Sequence, residues 1–191
     1  MAATHGDKLE LILDAAYRVF GTAGFYETKM SEIADAAGIA KGTLYLYFSS
    51  KEALFMAVTK RDFEHFLERL HEVLHQEGAL EEKLHGAASH HLWYYYQVKH
   101  YPRLFFHAPN SDAGLMEMMH GFIRKYNAML AQMLEAHEVK QAELHARSFI
   151  GILDVFKMDI LMDPTFSEDD LRERARFAVQ LFSRGCEAGS A

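Results

Sequence analysis

The sequence predicts an all-α protein: an N-terminal three-helix head containing a helix-turn-helix, joined by a long helix to a C-terminal helical body. Three observations carry this. Apolar residues recur at the helical period along nearly the whole chain, and no segment alternates as a half-buried strand does. The 191 residues include only three prolines, Pro102, Pro109 and Pro164, which leaves long stretches free of the residue that breaks helices. Half of the chain is hydrophobic, enough to bury a sizeable core.

The elements follow in order. Leu9, Ile12, Leu13, Ala16 and Phe20 form one stripe of a first helix, and Gly24 is placed to end it. Thr28 is the expected N-cap of a second helix, on which Met30, Ile33, Ala34 and Ala37 fall on one face. Gly38 makes the turn into a third helix from Lys41 to Tyr47. Ser49 and Glu52 have the spacing of a capping box and open a long helix to about Gln76, ended by Gly78. Further helices are expected over 81–100, 112–137, 141–162 and 168–186, the last capped by Ser167 with three carboxylates in its first turn. The domain division expected is 1–50 for the head and 51–191 for the body.

Composition excludes several classes. The net charge of −7 argues against a general polycation. Residues 1–60 are nearly neutral, with six basic residues against seven carboxylates, so most of the acidity lies in the body. Cys186 is the lone cysteine, which rules out an internal disulfide and a paired-cysteine metal site. No run of about 18 uncharged apolar residues occurs, and the polar start lacks the apolar segment of a secretion signal. A soluble, cytoplasmic protein without membrane association is expected.

The segment from Thr28 to Phe48 carries the chemistry. Two short helices crossing at small residues, Ala34 and Ala37, and joined through Gly38 make a helix-turn-helix. Ile33, Ile39, Leu44 and Phe48 are the apolar pins. Lys41, Gly42, Thr43 and Tyr45 remain outside at the N-terminal end of the third helix, the end that enters a major groove in this motif. A lysine suits guanine N7 and O6, and a threonine suits a thymine methyl or a base edge. Thr28, Lys29, Tyr47 and Lys51 are candidates for holding phosphates, helped by the amides that open the second helix.

The wording of this stretch is more specific than its periodicity. Gly38-Ile39-Ala40-Lys41-Gly42-Thr43-Leu44-Tyr45-Leu46-Tyr47-Phe48, followed by Ser50-Lys51-Glu52-Ala53-Leu54, resembles the TetR family of bacterial repressors. So do Ile12 to Ala16, Phe20, Gly24-Phe25 and Thr28 upstream. Ala40 departs from the pattern, since many members carry a capping serine there. An alanine cap costs about 1 kcal/mol, so packing has to hold the third helix. The resemblance covers roughly the first 60 residues. It implies a homodimer on a palindromic double-stranded DNA operator, and a ligand pocket in the body whose occupation changes the spacing of the two heads.

The body is rich in aromatic residues and methionine. Two readings stand side by side: an ordinary core with methionine filling gaps, or an adaptable apolar pocket between helices. For the second, Trp93, Tyr96, Phe122, Tyr126, Phe149 and Phe156 are the candidate lining for an apolar small-molecule effector. The last two helices carry apolar residues broad enough for a core face and a homodimer face, with Arg147, Asp154, Lys157 and Arg174 as a polar rim. Among the twelve histidines, His71 and His75 have a metal-pair spacing, and His85, His90 and His91 follow. No ligand signature accompanies them, so surface histidines and no metal or other cofactor are expected.

The combined expectation is a ligand-responsive transcriptional repressor and not an enzyme, since neither a nucleophile elbow nor a glycine-rich phosphate loop is present. An activator, or a DNA-binding protein without an effector, is the alternative on the same fold.

Overall fold

The computed structural model describes residues 5–101, 103–106 and 113–188. Among them are α1 (His5–Ala23), α2 (Met30–Ala36), α3 (Lys41–Tyr47), α4 (Lys51–Leu74), α5 (Leu80–Val98), α6 (Arg103–Phe106), α7 (Ala113–Ala136), α8 (Ala142–Met162) and α9 (Glu168–Ala188), with no strand. The all-α expectation is met, and every expected helix is present within a few residues of its expected ends. The expected start of the seventh helix at Asp112 lies outside the described residues. α6 was not expected, because four residues are too few to show a period.

Packing divides the chain into two units. The first comprises described residues within 1–64 and 100–119, the second those within 65–99 and 120–191. α4 and α7 therefore contribute residues to both.

In the first unit, Ile12, Ala15, Ala16, Phe20, Ile33, Leu44 and Leu54 are wholly buried together. Phe20 and Phe25 both meet Phe55 edge-on, with ring centroids 5.1 and 5.3 Å apart. Arg61 of α4 reaches two carboxylates of α1, donating to Glu10 at 2.8 Å and pairing with Asp14 at 2.9 Å. The Arg103 guanidinium of α6 donates to the carbonyl of Ala23 at 2.7 Å, satisfying one of the open carbonyls that end α1.

Two glycines have stated reasons. Gly38 takes φ +66°, the left-handed conformation that lets Ile39 N–H reach back to the Ala34 carbonyl and close α2. Gly21 lies against Tyr101, where an added Cβ would meet the tyrosine Cβ at 2.5 Å.

Helix caps correct the sequence in two places. The N-cap of α2 is Lys29 rather than Thr28, and its amide donates to the Glu32 carboxylate at 2.9 Å. α4 is capped by Ser50 rather than Ser49, its Oγ accepting from Ala53 N–H at 3.1 Å. Ser167 does cap α9: its Oγ accepts from Asp170 N–H at 3.2 Å while the Asp170 carboxylate accepts from Ser167 N–H at 2.9 Å.

The second unit buries Leu70, Leu84, Leu92, Leu130, Leu134, Phe149 and Leu153 around α5, which packs against α8 and α9. No described helix is long and apolar enough to cross a membrane.

Gly21→Ala is expected to lower stability by about 1–3 kcal/mol through overpacking against Tyr101. Thermal unfolding would read this as a fall of several degrees, and an unchanged midpoint would show that the contact relaxes without cost.

Candidate functional site

α3 has no side-chain cap, as Ala40 foreshadowed. Its hold on the first unit is Leu44, which is completely buried. With that residue inward, Lys41, Gly42 and Tyr45 face solvent and Thr43 is half-buried. The Lys41 ammonium lies 5.9 Å from the centre of the Tyr45 ring, one helical turn away. These groups therefore share one face. Gly42 is ordinary helical backbone, and a Cβ added there would meet nothing within 4 Å. Nothing among the described residues requires its smallness.

The residues expected to hold phosphates divide into two sets. Lys29 is exposed and Tyr47 half-buried. Thr28, by contrast, is buried, and its hydroxyl donates to the Gly24 carbonyl at 2.7 Å. The Lys51 ammonium donates to the carbonyls of Thr28 at 2.9 Å and Tyr26 at 3.3 Å, above the face of Phe25. Thr28 and Lys51 thus build the loop that leads into α2. The amide of Lys29 is likewise taken by Glu32 rather than left for an anion. The sequence missed this because a hydroxyl and an ammonium look equally available until burial is known.

The six candidate effector residues are not gathered at one place. Trp93 is exposed and stacks on Tyr96 at 5.5 Å. Phe149 is wholly buried against Phe182, with ring centroids 4.9 Å apart. Phe156 meets Phe177 edge-on and lines an open groove of about 700 Å³ between α8 and α9, together with Asp159, Arg174 and Gln180. Phe122 and Tyr126 belong to a separate aromatic cluster around Phe66, whose ring centroid lies 5.4 and 5.3 Å from theirs.

That cluster contains a polar group that was expected on the surface. His91 is 2% exposed, so the expectation of surface histidines fails there. His90 is half-buried, with Nε2–H donating to the Phe66 carbonyl at 3.0 Å. His91 Nδ1 lies 3.1 Å from the Tyr126 hydroxyl, and Nε2 lies 3.7 Å from Asp154 Oδ1. Asp154 is bonded by Lys157, which also covers the Tyr95 ring. Asp154 and Lys157 therefore pair with each other beside His91, while Arg174 turns to Asp159 at 3.5 Å. Burial pushes the His91 imidazole down to about 3, helped by the Lys157 charge. Burial likewise raises the Tyr126 phenol well above its ordinary value. The exposed rings of His71, in the last turn of α4, and His75, just beyond it, lie 3.8 Å apart and tilted, and no group of three metal-ligating side chains occurs among the described residues.

A helical protein with a short, outward-facing second helix in a helix-turn-helix is the class these features define. Residues 12–58 match the family described as bacterial regulatory proteins, tetR family. The fatty acid metabolism regulator protein of Bacillus subtilis is 38% identical over 80 residues, 42% of this chain and 41% of that protein. The transcriptional activator FasR of Mycolicibacterium smegmatis is 36% identical over 78 residues, 41% of this chain and 36% of that protein. The matched stretch thus spans about two fifths of these curated relatives. The fold extends further: the regulator FadR from Bacillus subtilis, solved in complex with stearoyl-CoA, superposes with a TM-score of 0.78 at 24% identity, over 91% of this chain and 96% of that one.

The His91 environment sets a pH dependence. Above about pH 6.5 the imidazole is neutral both folded and unfolded. Below it the unfolded chain takes up a proton that the folded one refuses until about pH 3. Stability is therefore full above 6.5 and falls on acidification, by about 1.4 kcal/mol per pH unit from this group. His91→Gln is expected to flatten the acid limb of melting temperature against pH between about 6 and 4. The same limb in both proteins would place the titration elsewhere.

Proposed function

We propose that the chain is a transcriptional repressor that binds a palindromic operator as a homodimer and leaves it when an apolar small molecule binds. The exposed face of α3 carries this proposal. Lys41, Gly42, Thr43 and Tyr45 read the major groove, and Lys29 and Tyr47 contact phosphates, with Thr28 and Lys51 setting the loop beside them. An open-space glycine at this position serves close approach to a surface outside the chain. The functional division proposed is 1–50 for DNA and 51–191 for effector and partner.

Dimerisation is supported by the outer face of α8 and α9. Leu144, Val155, Met158 and Met162 on α8, with Phe177 and Leu181 on α9, leave an exposed apolar patch. Gly151 sits in the middle of the α8 stripe with open space above it, where a second helix could approach closely.

For the effector, a long-chain acyl compound is the class inferred. The similarity to a fatty acid metabolism regulator and the fold shared with a protein solved with stearoyl-CoA support it. α4 and α7, which contribute to both units, are the natural links between effector and head. The effector acts only if it favours the DNA-incompetent head spacing over the competent one. A relative named as an activator supports a second reading in which operator position sets the sign of regulation.

Fluorescence anisotropy on duplex DNA from upstream of the chain's own gene tests the interface. Saturable, salt-sensitive binding is expected, with Lys41→Ala and Tyr45→Ala each weakening it about tenfold or more. Unchanged binding in both variants would remove α3 from the interface. Gly42→Ala separates folding from recognition: it should stabilise the helix by about 1 kcal/mol yet weaken DNA binding. Equal or tighter binding would contradict the close approach. Val155→Glu is expected to convert a dimer to a monomer in sedimentation velocity, and a surviving dimer would place the interface elsewhere.

A further inference from the structure

His91 brings a buried donor into the aromatic centre of the body and leaves it unused. The Tyr126 hydroxyl on α7 faces Nδ1 at 3.1 Å, and a phenol is a better donor than a neutral imidazole. Tyr126 O–H therefore donates, Nδ1 accepts, and the ring proton sits on Nε2. The neighbour of Nε2 agrees with this tautomer: Asp154 Oδ1 at 3.7 Å is too far for a hydrogen bond but favours an N–H over a lone pair. Nε2 is buried and has no hydrogen-bond partner among the described residues. Asp154 is held instead by Lys157, one turn further along α8.

Three helices thus converge on one place: α5 with an unpaired N–H, α7 with the phenol that sets its tautomer, and α8 with an ammonium already neutralised by a carboxylate. Phe66 and Phe122 form an apolar wall beside it, their rings 5.4 Å apart. Asp154 and Lys157 are partly exposed while His91 is not, so the polar group lies behind an ion pair that reaches solvent. The summed charge is zero. Such a setting suits a neutral oxygen acceptor and resists a second carboxylate placed next to Asp154.

We propose that His91 Nε2–H, assisted by Lys157, is the polar anchor for the carbonyl oxygen of a long-chain ester or thioester, whose chain lies along the Phe66 and Phe122 rings. This rests on the acyl-effector reading above and assigns it a site and a preference, for a neutral acyl carbonyl over a free acid.

Quenching of Trp93 fluorescence, checked by calorimetry, tests the anchor with three probes: palmitoyl-CoA, its thioether analogue S-hexadecyl-CoA, which lacks the carbonyl, and palmitate. The full chain is expected to bind the thioester about tenfold or more tightly than the thioether, as a site with a buried donor discriminates against a ligand that leaves it unpaired. His91→Leu should erase that difference by weakening the thioester alone, and His91→Gln, which keeps a donor, should restore part of it. Equal affinities in the wild type, or equal losses for both probes in His91→Leu, would overturn the anchor and leave His91 a core residue. Palmitate binding more tightly than the thioester would overturn the neutral-carbonyl assignment. Should His91→Leu fail to fold, Lys157→Met carries the test: a severalfold loss of thioester preference supports the anchor, and no change overturns it. If no probe binds while operator binding is intact, the anchor fails and the regulator stands. Loss of specific DNA binding in the wild type would be a failure of the regulator itself.

Discussion

The burial of Leu44 is the contact on which the head depends. A seven-residue helix has no stability of its own in water, and α3 begins without a side-chain cap. Packing holds it, through one wholly buried leucine and the half-buried Tyr47 and Phe48 near its end. The same packing decides what faces outward. With Leu44 fixed inward, the helical period turns Lys41, Gly42 and Tyr45 to solvent together. The outward face is therefore a by-product of the core, in which Phe20, Ile33 and Leu54 are buried with Leu44.

The loop before α2 shows how polar groups serve that arrangement. Thr28 and Lys51 satisfy three backbone carbonyls between them, those of Gly24, Tyr26 and Thr28. Open carbonyls in a buried or half-buried turn are costly unless bonded. Here a lysine and a threonine supply what regular structure does not.

Much of the fold was legible because its elements are long and periodic. α1 and α9 show their faces plainly, and Gly38 and Ser167 mark a turn and a cap with residues that have few other uses. The candidate DNA face was legible for the same reason, since the outward positions follow once Leu44 is placed. What escaped was whatever depends on three-dimensional neighbours. Thr28 and Ser49 were each one residue off the true caps, because adjacent polar residues are equivalent until the backbone chooses. The six aromatic candidates could not be sorted into core and surface, since rings at helical spacing look alike. His91 read as one more histidine in a polar helix. Its neighbours Tyr126 of α7 and Asp154 of α8 lie more than thirty residues away in sequence.

The role proposed for α3 is to read base sequence on a two-fold symmetric site. In vitro selection from a random duplex library tests it most directly. The wild-type chain is expected to enrich an inverted repeat, with half-sites separated by about one helical turn or a multiple of it, and Lys41→Ala is expected to lose or alter the enriched half-site. Enrichment of a site without two-fold symmetry, of no site at all, or of the same site by both proteins would contradict it.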